Sequence, residues 1–513
     1  MIKITSYLKK IFYICLLIFP LLVSFGLSAH VFVESCFAEH SGYNGYFETP
    51  ALDNQIITLI MFVLVFALIC IYMRKFDCDD KTIIKWAVII LAVAFVLRIG
   101  IFLVFCRDLT VYGDAKHVWN IMQGARDKEF YRKMMQNGWN NFTVVMYILE
   151  RLFDPELPTI IAAAFVTDAL IAVLLFLTAY RIFKRIDIAV IAGIFHAIDP
   201  TMILRNFYLS PDVYSLLCLV LGTYFLTFVF EDGNKKYLVA LAAGCFVGVG
   251  NSFKSVSLIL VVALVIAIVF RCIRERYKKQ QIISWIFTLL LVAVPALGIN
   301  KIALVCSTKV MHIPVQDLNT MHFITVGLNF EGEGQIGHGF AGYYQKQRDA
   351  GVDPEIAKEM AIKWLKNGWA ESDRSVSEWM WKKIQWAWRD SVRTYRSCAM
   401  GSINRETVDT PAAEYMIDYW SKNATSQTQL MYVFIVGFAA VGVGVLLKNK
   451  KYTDNDTLFV TNLYMFGFAL LLLVIECQSR YKTNIMPYMD MMAALGLCEV
   501  TNCIFKRINK TNK

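Results

Sequence analysis

The chain has 513 residues, of which 57% are hydrophobic and 18% charged, and its mean hydropathy is +0.49. So apolar a composition excludes an ordinary soluble protein and implies a polytopic membrane protein. The net charge of +10 calls for no nucleic acid as partner, because short cytoplasmic loops of membrane proteins collect Lys and Arg.

Twelve apolar runs long enough to be considered as spans follow one another along the chain. They lie at 11 to 33, 54 to 73, 85 to 106, 158 to 180, 188 to 204, 209 to 230, 237 to 252, 255 to 271, 282 to 306, 429 to 447, 457 to 476 and 485 to 504. The first is too long, and too poor in small residues at its end, for a cleaved signal peptide, and is read as a retained anchor. The two runs flanking Asn251 to Lys254 are counted as spans, and are short enough that a re-entrant or strongly tilted course is the alternative. The expected fold is all-α and polytopic, with about twelve transmembrane helices.

Basic residues orient these spans. Lys3, Lys9 and Lys10 precede the first, and Lys506, Arg507, Lys510 and Lys513 follow the last. Counting from a cytoplasmic N-terminus puts Arg74 to Lys85, Arg181 to Arg185, Lys235 to Lys236, Arg271 to Lys279 and Lys448 to Lys451 inside as well. Both termini are therefore expected in the cytoplasm, and membrane lipids are expected partners. Two long loops fall outside, at 107–157 and 307–428. The chain then divides into an N-terminal hairpin and cytoplasmic loop (1–83), a transmembrane core (84–306), an extracytoplasmic domain (307–428) and C-terminal transmembrane helices (429–513).

In the first outer loop, Ala115, Val118, Trp119 and Met122 recur at helical spacing, and Val145, Ile148, Leu149 and Leu152 do so after Asn141. Two amphipathic helices along the membrane surface fit both patterns, with Trp119 and Tyr147 at headgroup depth. Asp114 stands at the start of the first, where a carboxylate serves equally as an N-cap or as an ionised base. The second outer loop contains Gly327-Leu328-Asn329, a Gly-rich segment, and helical patterns near 354–369 and 375–396. Trp379, Trp381, Trp386 and Trp388 beside Lys382, Lys383 and Arg389 favour an interfacial anchor over a sugar-stacking platform.

Charge inside a membrane is costly and asks for a reason. Arg98 lies within the third run, while Arg205, Lys254, Arg480 and Lys482 mark outer turns toward which Arg98 can snorkel. A cationic ring at that plane suits a lipid-linked phosphate. The alternative is that each cation reaches a lipid phosphate singly, which is favoured for Arg480 and Lys482 taken alone. Asp114 is the candidate base, with Asp108 and Glu476 as possible second acids and His338 as a possible base or sugar contact. Asp77, Asp79 and Asp80 read as a solvated cytoplasmic loop, no metal site is expected, and no cofactor is called for. The 13 cysteines show no metal or redox spacing. Cys36, Cys398 and Cys477 fall outside, but no structural disulfide is expected. Sequons at Asn141 and Asn423 also face outside.

Residues 85–504 resemble the GT-C superfamily of polyprenyl-phosphate-sugar-dependent glycosyltransferases, in particular bacterial relatives of protein mannosyltransferases and aminoarabinose transferases. The resemblance is carried by Arg98 in its span, Gly113-Asp114-Ala115 with Gly124 following, and Trp139-Asn140-Asn141 before Tyr147 and Leu152-Phe153. Ser210-Pro211-Asp212, Gly327-Leu328-Asn329 and Glu476-Cys477-Gln478-Ser479-Arg480-Tyr481 before Pro487 complete it. The family's catalytic first outer loop and larger later loop fall on this chain if its first two spans are an added hairpin. The resemblance implies Asp114 as the catalytic carboxylate, with Asp108 a rival because Gly-Asp-Ala departs from the family's Asp-Glu or Ser-Asp. It also implies Lys254 and Arg480 beside the donor phosphate. The expected activity is transfer of a sugar from a polyprenyl-phosphate carrier to a glycan, lipid or protein acceptor outside the plasma membrane. A lipid-linked polysaccharide polymerase or ligase, a transporter of lipid-linked sugar, and an inactive relative remain alternatives.

Overall fold

The computed structural model describes residues 2–37, 52–76, 79–123, 140–231, 235–312, 320–330, 343–373, 375–389 and 399–511. Helices make up most of these residues, and the one β-bridge among them joins Leu109 to Ile403. The chain opens with α1 (Ile2–Leu16) and α2 (Val23–Phe37), joined by a π-helical turn at Leu17–Leu22. There follow α3 (Leu52–Met73), α4 (Asp80–Phe105), the short α5 (Ala115–Met122) and α6 (Asn140–Phe153). The core continues with α7 (Leu157–Phe183), α8 (Ile186–Ile198), α9 (Pro200–Arg205), α10 (Asp212–Val229), α11 (Lys236–Phe253), α12 (Leu258–Glu275) and α13 (Lys279–Met311).

Beyond these come α14 (Thr320–Gly327), α15 (Tyr343–Asp349), α16 (Pro354–Glu371) and α17 (Val376–Trp388). The chain closes with α18 (Pro411–Lys448), α19 (Asp456–Val474), a 3₁₀ turn at Ser479–Asn484 and α20 (Met486–Thr511).

Eight of the described helical stretches are long and apolar enough to cross a membrane, and α3 and α8 carry shorter apolar stretches. The protein is a multi-pass membrane protein. All twelve apolar runs fall on helices, but twelve crossings do not follow. The run from 188 to 204 is broken, because Asp199 accepts from the Thr201 N–H at 2.8 Å and Pro200 restarts the chain as α9. The runs flanking Lys254 are regular 18-residue helices rather than re-entrant turns.

Glycine sets the closest helix contacts. In α11, a Cβ at Gly244 would meet the Val292 carbonyl of α13 at 2.6 Å, and Gly248 likewise abuts the backbone at Pro295. Gly442 of α18 and Gly496 of α20 make the same backbone-to-backbone approach.

Basic residues gather at one end of the bundle with acidic partners. Arg271 and Arg274 share Asp456, Lys9 lies 3.8 Å from the same carboxylate, and Arg185 joins Asp187 and Glu499. At that end Asp79 caps α4 by accepting from the Thr82 N–H at 3.0 Å. Asp77 and Cys78 lie outside the described residues.

Candidate active site

The other end carries the Asp114 loop, the α9–α10 turn, the Lys254 turn and the segment after α19. Gly113 has φ +58°, a left-handed conformation in which glycine is unstrained, and a Cβ there would lie 3.5 Å from the Tyr208 hydroxyl. The turn lifts Asp114 to the start of α5, whose Ala115, Val118, Ile121 and Met122 are buried. The N-cap alternative fails. Asp114 has helical φ and ψ, makes no side-chain capping bond, and its carboxylate has no hydrogen-bond or ion-pair partner among the described residues, although its carbonyl accepts from the His117 N–H at 3.1 Å. Its exposed carboxylate is close enough to Glu476 to add to that residue's electrostatic burden.

Asp108, the rival acid, is buried. It accepts from the Thr407 hydroxyl at 2.9 Å, and its carbonyl accepts from the Asn404 N–H at 2.7 Å. With the Leu109–Ile403 bridge and the Thr110 N–H on the Ser402 carbonyl, Asp108 straps the Asp114 loop to residues 399–407. It therefore holds the loop and offers no free base.

Lys254 caps the end of α11 and donates to Asp212 at 2.7 Å, with its ammonium 5.0 Å from the Tyr481 ring centre. Burial lowers its pKa, Asp212 opposes that, and Arg480 and Arg205 push it further down. Arg480 stacks over the same ring at 5.5 Å. Burial works against its charge, but Tyr481, Asp212, Tyr208 and Glu476 more than offset that, so it stays firmly cationic. Glu476 accepts from Tyr481 at 2.8 Å and from Gln478. Burial pushes its pKa above the usual carboxylate range, which favours the protonated form.

The 320–330 segment positions Glu476. The Glu476 N–H donates to the Phe323 carbonyl at 3.1 Å, and Gly327 lies so close to the Ile475 backbone that no Cβ would fit. Lys383 donates to the carbonyls of Gly327 at 2.6 Å and Leu473 at 2.9 Å, while Trp369 and Trp379 donate to Leu328 and Asn329. Burial lowers Lys383 to about 8. The expected interfacial Trp helix is thus corrected. Trp379 and Trp388 are interior, and of the four α17 tryptophans Trp381 alone is exposed. Lys482 is also buried, under Tyr432 at 4.1 Å, rather than snorkelling.

Arg98 is corrected as well. It is fully buried, donates to Asp168 at 2.8 Å and to the carbonyls of Ala197 and His196 at 2.6 and 3.0 Å, and does not reach the outer plane. Arg205 donates to the same Asp168, as does Asn206 at 3.0 Å. Its Nε and Nη1 lack a hydrogen-bond partner among the described residues. His196 bridges Asp168 at 3.2 Å and Asp490 at 3.5 Å. Asp168 had a signal in the sequence, a carboxylate within an apolar run, because a buried arginine needs a counter-charge. Asp212 and Tyr481 stand among the residues that carry the resemblance, but only the fold brings them to Lys254.

Asn141 donates to the Ser252 carbonyl and the Asn300 side chain, both at 3.1 Å, and accepts from Ser307 at 3.0 Å. It ties α6 to α11 and α13 and is buried, so the sequon is not an open acceptor. In α6 the packed residues are Phe142, Val144 and Met146, and the stripe Val145, Ile148, Leu149 and Leu152 is exposed. Cys477 is free and donates to the Lys383 carbonyl, the side chain of Cys36 is undescribed, and His338 and Cys398 lie outside the described residues. No cluster of three potential metal ligands occurs among the described residues.

Residues 143–299 match the family model of dolichyl-phosphate-mannose-protein mannosyltransferases. That stretch, less than a third of the chain, is similar to this glycosyltransferase family. The matched stretch runs from α6 into α13 and includes Asp168, Arg205, Asp212 and Lys254. No curated protein matches the chain. Among solved structures, the archaeal oligosaccharyltransferase AglB of Archaeoglobus fulgidus, solved with an inhibitory peptide and a dolichol-phosphate, aligns at 12% identity with a TM-score of 0.42. The alignment covers 84% of this chain and 51% of that one, so the chain spans about half the archaeal enzyme's length.

Proposed function

We propose that this protein transfers a sugar from a polyprenyl-phosphate carrier to an acceptor hydroxyl of a glycan, lipid or protein on the outer face of the plasma membrane. The observation that carries the reading is an exposed Asp114 carboxylate, without a partner among the described residues, on the same face as Lys254 and Arg480. Asp114 takes the acceptor proton as the acceptor oxygen bonds to the anomeric carbon. The bond from that carbon to the phosphate oxygen breaks, and the lipid phosphate leaves with the electron pair. Lys254 and Arg480 offset its charge, with Arg205 adding positive field from behind. Arg98 has no direct contact in this scheme and acts by holding Asp168 under Arg205.

Glu476, whose buried carboxyl is raised above the usual carboxylate range, is a weaker candidate for the acceptor proton than the exposed Asp114. The matched family, named for a lipid-phosphate-linked sugar, supports this donor class. The clustering of Lys9, Arg74, Arg185, Arg271 and Arg274 at the opposite end supports cytoplasmic termini. The reading calls on no cofactor beyond the lipid-linked donor.

The test is transfer of radiolabelled sugar from polyprenyl-phosphate hexoses to envelope acceptors by purified protein, comparing wild type with Asp114→Asn. Loss of transfer with donor binding retained supports the assignment. Transfer that survives removes Asp114 from the role.

A further inference from the structure

The cluster around Asp168 does not satisfy all of its own members. Asp168 takes Arg98, Arg205, Asn206 and His196 as partners, and other polar atoms of the cluster are left over. Arg205 Nε and Nη1, Asn206 Oδ1, His196 Nδ1, Asp199 Oδ2 and both carboxylate oxygens of Asp490 have no hydrogen-bond partner among the described residues. That makes seven such atoms on five residues.

They belong to one place. His196 Nδ1 lies 3.5 Å from Asp490 Oδ2, while its Nε2 faces Asp168. Asp199 stands at the end of α8, near enough to His196, Asp168 and Asp490 to interact with each electrostatically. None of these residues is more than 1% exposed, so bulk solvent does not reach the atoms left over. A buried polar atom without a partner destabilises a fold. Seven in one place call for a common partner.

The chemistry of these atoms selects that partner. Arg205 Nε and Nη1 only donate, and the carboxylate oxygens of Asp490 and Asp199 and the Asn206 amide oxygen only accept. A metal ion would leave the donors unused and would lie beside a guanidinium, and no cluster of three potential metal ligands occurs among the described residues. An anion would face three carboxylates. Water alone of these donates and accepts together.

We propose that the Asp168 cluster binds a group of buried water molecules that bridge Asp490 and Asp199 to Arg205, Asn206 and His196. At roughly three hydrogen bonds for each buried water, about two or three molecules employ all the atoms left over. The bridge ties α20, which carries Asp490, into a cluster that otherwise joins α4, α7, α8 and α9. The water site is independent of the transfer reaction proposed above.

Cryo-electron microscopy of the full-length protein in lipid nanodiscs, at a resolution that shows ordered water, tests the proposal. Separate peaks are expected about 2.7–3.2 Å from the Asp490 carboxylate, Asp199 Oδ2 and the Arg205 guanidinium. Absence of such peaks, with Asp490 or Asp199 turned to bond Arg205 directly, would overturn it. So would a single peak held by the carboxylates alone, or a melting temperature higher in sodium or potassium than in choline at equal ionic strength, since either identifies a cation. Thermal unfolding of Asp490→Asn and Asp490→Leu gives a second readout. Asn keeps a polar partner for the waters and is expected to melt near wild type, whereas Leu strands them and is expected to melt several degrees lower. A dry, unpaired Asp490 predicts the reverse, and a melting temperature raised by Leu would also overturn the proposal.

Discussion

Two clusters of charge lie within one helical bundle and are built on opposite plans. Around Asp168, the side chains of Arg98, Arg205, Asn206 and His196 converge on one carboxylate in the protein interior, where it is fully buried. Around Asp114, the carboxylate is exposed and has no partner among the described residues, while nearby Lys254 and Arg480 meet over Tyr481 with Asp212 and Glu476 as neighbours. The first cluster is closed and holds α4, α7, α8 and α9 in register. The second is left open on one side, as a site that must admit a charged substrate has to be. A charge in a membrane protein therefore identifies a site only when its partner is also known.

The largest effect should come from the open cluster. Asp114→Asn is expected to lower kcat by about 10²–10⁴ while the melting temperature stays near that of wild type, read by transfer kinetics and thermal unfolding in detergent. A large fall in stability would place Asp114 with the closed cluster instead. Arg98→Met should show the converse, because it leaves Asp168 buried with less compensation. We expect a loss of about 3–5 kcal/mol, not recovered in the Arg98→Met, Asp168→Leu double variant, which leaves buried Arg205 without its counter-charge, measured by urea or thermal denaturation.

Lys383 gives a pH signature between these extremes. Its folded pKa of about 8 lies below the ordinary lysine value of 10.5, so between those values the unfolded chain binds more protons. Stability should therefore rise with pH across that window, by at most about 3 kcal/mol. Lys383→Met should remove the rise, as followed by melting temperature against pH. The smallest effect is expected at the strap. Thr407→Val deletes the bond to Asp108 and should cost about 1 kcal/mol, with a several-fold loss of kcat and little change in KM as the Asp114 loop loosens. An unchanged kcat would mean that the strap does not position the loop.

Much of the helix layout was legible in the sequence because apolar runs are a local signal, read without knowing what they touch. The break at Asp199-Pro200 was the exception, since apolar residues continue through it. Among the candidate residues, Asp114, Lys254, Arg480 and Glu476 were singled out and lie on one face. Arg98 looks outward-reaching in the sequence because its counter-charge, Asp168, lies 70 residues away on another helix. Asp168, His196 and Asp490, on α7, α8 and α20, sat unread in apolar runs. The α17 tryptophans looked interfacial because their spacing does not reveal that the 327–329 turn covers them.

By itself, the sequence determined that the chain is a helical membrane protein, with basic loops alternating along it and a carboxylate at the head of a short helix after the Arg98 run. Apolar length, charge bias and glycine before Asp114 are properties of neighbours in the chain. Only the tertiary structure decided which charges are spent and which are available. Ion pairing in a low-dielectric interior depends on distances between residues far apart in sequence, as between Arg98 and Asp168 or between Lys254 and Tyr481.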